Sequence, residues 1–154
     1  MGGLVEFKNI DEILDYAITN EEKAENLYTQ LADRVGRPGM REAFLHFANE
    51  ERGHKARLLK VKAGELPPVA EETIQDLKLT ELLVEPEPTA NMTYPEALVF
   101  AMKAEKAAYI LYTRLAELTD DAALSKIFQN LAQEEAKHKL RFELEYDEHV
   151  LEGV

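Results

Sequence analysis

An all-α fold, an antiparallel four-helix bundle made of two helical hairpins and a long crossover, is predicted by three features of this 154-residue chain. Four long segments carry apolar residues three and four apart; no segment alternates as a half-buried strand would; and the pattern of the first half recurs 84 positions later. At 45% hydrophobic content the length supports one well-buried core, so residues 1–154 are expected to form one domain.

The first helix, expected over 10–35, has Asn9 as N-cap with Glu12 three residues on, and Gly36 to stop it. Its inner stripe reads Ile13, Leu14, Ala17, Glu21, Ala24, Tyr28 and Leu31, so a carboxylate interrupts an apolar face. The second, over 39–63, starts beside Pro38, presents Phe44, Phe47, Glu51, His54, Leu58 and Val61, and ends at Gly64 before Pro67 and Pro68. The third, over 94–118, opens on a Thr93–Glu96 capping box and shows Leu98, Ala101, Glu105, Ala108, Tyr112 and Leu115. The fourth, over 121–150, opens at Asp120 or Asp121 and shows Leu124, Phe128, Leu131, Glu135, His138 and Phe142. Between the hairpins, residues 65–92 are rich in proline and acidic residues, with only a short helical stretch near Glu71 to Leu79. At roughly 3.3 Å per extended residue this crossover can run the length of a helix, so the third helix can start at the opposite end from the first.

The offset of 84 pairs Glu21 with Glu105, Glu51 with Glu135 and His54 with His138, and it also pairs Leu14 with Leu98, Tyr28 with Tyr112 and Phe44 with Phe128. One hairpin is used twice. Folding the first about residue 37 puts Glu21 level with Glu51 and His54, and folding the second about residue 121 does the same for Glu105, Glu135 and His138. A Glu and a His three apart share a helix face. Six polar side chains therefore converge on one layer, and the charge of four carboxylates there matches two divalent cations. Unpaired carboxylates are too costly to bury. A donor set of oxygen and imidazole without thiolate favours iron, then manganese, over a structural zinc centre, with zinc retained as a substitute.

Composition narrows the partners. Thirty acidic against 18 basic residues give a net charge of -12, which repels nucleic acid and anionic membranes. No apolar run approaches a membrane span, and the N-terminus lacks a signal-peptide pattern, so a cytoplasmic protein is expected. Zero cysteines exclude disulfides, thiolate nucleophiles and iron–sulfur or rubredoxin-type centres built from this chain.

AITNEEKAENLY with AMKAEKAAYILY, and FLHFANEERGH with FQNLAQEEAKH, resemble the ferritin-like diiron proteins and specifically the rubrerythrin group, over about residues 10–150. The resemblance implies a ferritin-like bundle with Glu51 and Glu135 as bridging carboxylates, Glu21 and Glu105 as terminal ones, and His54 and His138 serving one metal each. It implies a non-haem diiron oxidoreductase that binds two Fe ions and oxidises them with peroxide or dioxygen. The alternative is an iron-binding or storage protein. A homodimer is expected, and turnover would need an external electron-donor protein. Two departures stand out: Ala108 occupies the place where many rubrerythrins carry an extra carboxylate, and the cysteine-rich rubredoxin domain has no counterpart here.

Other polar residues are read as structural. Glu50 and Glu134 adjoin ligand positions but point about 100° away, which favours a place at the surface or a helix interface over one supporting the ligands. Glu25 lies one turn from Glu21, where joining the site as a further carboxylate is the alternative, yet its repeat partner is Tyr109. Tyr28 and Tyr112 are expected as core tyrosines with satisfied hydroxyls, a part as hydrogen-bond partners or electron relays being the alternative. His46 is expected on the exposed side, and His149 lies about 16 Å along the helix from His138, too far to join its site.

Overall fold

Capping decides where the helices begin. The computed structural model describes residues 7–35, 38–66, 69–79 and 92–153. Helix α1 runs Ile10–Arg34, one residue short of the expected end, with the Asn9 side chain accepting the Glu12 N–H at 2.9 Å. Helix α2 runs Pro38–Ala63 and α3 Glu71–Asp76. Helix α4 runs Tyr94–Leu118, and its capping box is complete: Thr93 Oγ1 accepts from Glu96 N and Glu96 Oε1 accepts from Thr93 N. Helix α5 runs Ala122–Gly153, and Asp121 is its cap, accepting the N–H groups of Ala123 and Leu124 at 2.9 and 3.1 Å. No strand occurs among the described residues, and the architecture is an all-α, ferritin-like bundle. Gly36, Pro67, Pro68 and positions 80–91 of the crossover lie outside the described residues.

The core divides into two buried clusters, and their membership gives the topology. One joins the start of α1 (Ile13, Leu14, Ala17) to the end of α2 (Leu58), the end of α4 (Leu111, Leu115) and the start of α5 (Phe128, Leu131). The other joins the end of α1 (Leu27, Leu31) to the start of α2 (Met40, Phe44), the start of α4 (Leu98, Ala101) and Phe142 of α5. Helix α4 thus begins at the end of the bundle where α1 finishes, as a full-length crossover requires. Ile74 and Leu79 of the crossover are themselves buried in the first cluster. The turn after α3 places Lys78 in the left-handed region at φ 55°, uncommon for a residue with a Cβ. Arg114 of α4 steadies it by donating to the Leu77 and Lys78 carbonyls at 2.6 and 3.3 Å.

On every long helix the polar position falls between the two clusters. Glu21 lies between Ala17 and Leu27, Glu51 and His54 between Ala48 and Leu58, Glu105 between Ala101 and Leu111, and Glu135 and His138 between Ala132 and Phe142. Apolar layers above and below exclude water from the level where all six side chains meet. No helix among the described residues is long and apolar enough to cross a membrane.

Candidate metal centre

All six predicted side chains are buried, none more than 3% exposed. They form two overlapping groups, Glu21, Glu51, His54 and Glu135 on one side and Glu51, Glu105, Glu135 and His138 on the other; within each group one donor atom per residue lies within 4.8 Å of the others. Glu51 and Glu135 belong to both groups. A side chain with two oxygens shared between two donor sets is placed to bridge two cations, and a chain folded as a duplicated hairpin makes two such groups. The histidines turn Nδ1 inward: His54 Nδ1 is 2.6 Å from Glu135 Oε1 and 3.5 Å from Glu21 Oε2, and His138 Nδ1 is 2.7 Å from Glu51 Oε1 and 3.6 Å from Glu105 Oε1. Their rings face each other 6.1 Å apart and 13° from parallel.

The donor atoms lack partners within the protein. Glu21 Oε2, both oxygens of Glu51, Glu105 Oε2, Glu135 Oε1, both nitrogens of His54 and His138 Nδ1 are buried without an aligned hydrogen bond, the short His–carboxylate approaches included. Eight such atoms in one layer would be a heavy destabilising load on a metal-free core. Bound cations would satisfy most of them, so the residues present fit a pair of metal ions.

The two core tyrosines account for the terminal oxygens that are satisfied. The Tyr112 hydroxyl donates to Glu21 Oε1 at 2.5 Å, and the Tyr28 hydroxyl donates to Glu105 Oε1, each crossing to the other hairpin. They are hydrogen-bond partners of the site as well as core residues. Each leaves the second oxygen of its glutamate free, whereas Glu51 has neither oxygen engaged.

The electrostatics follow from crowding. Burial, then the negative charges of neighbouring glutamates, pushes Glu51 and Glu135 well above the usual carboxylate range. Burial also acts upward on Glu21, but the close approach of Glu51 and His54 and the Tyr112 hydroxyl together outweigh it and hold Glu21 low. Burial opposes charging of His138, yet Glu105 and Glu50 raise its value. Burial, followed by the carboxylate charges, pushes both tyrosine hydroxyls up, so Tyr28 and Tyr112 remain neutral donors.

A family model for rubrerythrin matches residues 12–146. The chain belongs to the rubrerythrin family. No curated protein and no solved structure gave a significant match. The cysteine-free sequence gives this rubrerythrin-family chain a carboxylate–histidine cluster as its candidate metal site and no thiolate centre.

The flanking polar residues fall largely where the helical stripes put them, with Glu50 and Glu134 reaching across a helix interface. Glu50 and Glu134 do not simply face solvent: Glu50 Oε1 is 3.2 Å from His138 Nε2, and Glu134 Oε1 is 3.4 Å from His54 Nε2. The 100° offset was measured on each residue's own helix, but the contacts run to the opposite helix. The repeated Glu-Glu-x-x-His pattern, which pairs Glu50 with Glu134 at the same offset of 84, was the signal available. Glu25 turns away from the centre to Arg52, at 2.6 and 2.9 Å. His46 is exposed as expected, with 67% of its side chain accessible. His149 packs on Tyr94, with ring centroids 5.3 Å apart, and belongs to neither group of donors.

Proposed function

We propose that this chain is a non-haem diiron protein that binds two iron ions and oxidises them with peroxide or dioxygen. The observation that carries this reading is the pair of donor groups sharing Glu51 and Glu135, with their inward atoms unpartnered. Two ferrous ions, when bound, supply the electrons for reducing the oxidant. The chain's own residues do the rest. Glu51 and Glu135, common to both donor groups, would hold both ions, Glu21 and Glu105 would each offer one free oxygen, and Tyr28 and Tyr112 keep those carboxylates oriented. Phe47 packs on the His138 ring at 4.5 Å, and Phe142 stands 5.0 Å from Tyr28, so an aromatic wall shields that side from water. The positions matched to Phe47 and Phe142 by the repeat are Leu131 and Leu58, both fully buried, so the other half has aliphatic side chains there.

We place the protein in the cytoplasm as a homodimer, fed by an electron-donor protein, since a cysteine-free chain offers no second redox centre of its own. Metal analysis of anaerobically isolated protein, followed by mixing the iron(II)-loaded chain with peroxide and then with oxygen, tests the proposal. Two irons per chain and oxidation faster than that of free iron(II) are expected. Oxidation no faster than in protein-free solution would remove the enzymatic reading and leave iron binding, and a multi-subunit cage in solution would then favour storage.

A further inference from the structure

The two Glu-x-x-His helices exchange carboxylates behind the ligand layer. His54 on α2 is fully buried, and with Nδ1 turned towards the donor groups its Nε2 lies 3.4 Å from Glu134 Oε1 on α5, within reach of the carboxylate but not aligned as a hydrogen bond. His138 on α5 mirrors it, with Nδ1 inward and Nε2 at 3.2 Å from Glu50 on α2. A neutral imidazole carries one proton on one of two nitrogens, and the partner of the outer nitrogen decides which. A carboxylate there accepts Nε2–H and leaves the Nδ1 lone pair directed inward. An imidazole protonated at Nδ1 would present a proton where a cation has to sit.

We infer that Glu50 and Glu134 are positioning residues, each fixing the tautomer and ring orientation of the metal-binding histidine on the opposite hairpin. The inference rests on the two-metal reading above. Neither metal position is then complete within one hairpin, because each inward histidine depends on a carboxylate carried by the other half of the repeat.

Both carboxylates are themselves held in place, by different means. Arg57 Nη2 grips both oxygens of Glu134, at 3.2 and 2.9 Å. Glu50 meets the exposed ring of His46 at 3.0 Å. The repeat breaks here: His46 is matched by Asn130, and the residue matched to Arg57 is Arg141, whose guanidinium lies on Met40 Sδ at 3.4 Å. Arg57→Ala should therefore weaken only the position served by His54.

Cobalt(II) titration of the metal-free chain, followed by visible absorption, tests the assignment. The unsubstituted chain should bind two ions. Glu50→Ala and Glu134→Ala should each weaken one of the two by about 10–100-fold, the usual effect of removing such an outer partner, and should alter the ligand-field bands of that ion. Glu50→Gln should recover part of the loss, since its amide oxygen can still accept Nε2–H. Thermal melts of the metal-free variants should stay close to the unsubstituted chain; a merely structural role would lower the melts and leave the cobalt affinities alone. Two ions bound with unchanged affinity by both alanine variants would overturn the inference while the two-metal reading stands. An unsubstituted chain that binds no cobalt, or a His138→Ala variant that still binds two ions, would overturn both.

Discussion

Replacing Glu51 by glutamine should move the stability of the metal-free and metal-loaded protein in opposite directions. Glu51 is 1% exposed and surrounded by Glu21, Glu105 and Glu135, whose charges add to burial in raising its ionisation well above the ordinary value of 4.5. At pH 7 an unfolded glutamate is ionised. Keeping the folded one protonated, or forcing it to ionise, costs at most about 1.4 kcal/mol for each pH unit above 4.5, a ceiling of roughly 3 kcal/mol. Glu51→Gln removes that cost with little change of shape, so the metal-free variant should melt higher, by up to about 10 °C for a chain of this size. Metal loading should do the reverse. Two sites filled at about a hundred times their dissociation constants would stabilise the unsubstituted chain by roughly 5 kcal/mol, a Tm rise of about 10–20 °C. Glu51 serves both donor groups, so most of that rise should vanish in the variant. Calorimetric melts of both proteins, with chelator and with iron(II) under anaerobic conditions, provide the comparison, and Glu25→Gln, which lies outside both donor groups, should keep the full metal-dependent rise. A Glu51→Gln variant that melts lower without metal, or that keeps the metal-dependent rise, would refute this role for Glu51.

The raised values of Glu51 and Glu135 also set a pH dependence. Their folded forms hold protons that the unfolded chain releases near 4.5, so this stability is complete below that pH and is lost as pH rises through the folded values. His138, raised above 6.5, acts in the same direction, whereas Glu21, held low, contributes stability that is lost only on acidification. Metal-free protein should therefore melt lower at about pH 7.5 than at about pH 5.5, and metal affinity should rise over the same range as cations displace the protons. A metal-free Tm that climbs with pH would contradict this. Tyr112→Phe strands Glu21 Oε1 in the core and should cost about 1–3 kcal/mol in a denaturant titration, as well as weakening one of the two metal positions. Unchanged stability and loading would remove the tyrosine from the site. Thr93→Ala dismantles the capping box of α4 and should cost about 0.5–2 kcal/mol with no effect on metal stoichiometry, as measured by urea unfolding and metal analysis.

Local chemistry and periodicity were enough to read the helices and the inward glutamates and histidines from the sequence. Capping pairs such as Asn9–Glu12 and Thr93–Glu96 act within a few residues, and the apolar stripes fix which face of each helix turns inward. The repeat at 84 extended this from single helices to a layer, because two equal hairpins must put equivalent residues at equivalent heights. A single helix's stripe does not show which partner a side chain meets on another helix. Glu50 and Glu134 look peripheral on their own helices, and only the packing of α2 beside α5 sets their carboxylates on the opposite histidines. Tyr28 and Tyr112 are the buried core tyrosines with satisfied hydroxyls that the stripes predict, but which acceptor each hydroxyl finds, the other helix's glutamate, follows only from α1 lying beside α4.

The sequence by itself determined which residues enter the buried layer, since a carboxylate or imidazole on an apolar stripe can go nowhere else once the helix packs. Tertiary structure decided how those residues divide the work. It made Glu51 and Glu135 common to both donor groups, bonded one oxygen each of Glu21 and Glu105 to a tyrosine, and set a carboxylate from the other hairpin beside the outer nitrogen of each histidine. Helical periodicity specifies a direction around one axis, but a hydrogen bond depends on the distance between two axes and their relative rotation, and only the packed bundle sets those.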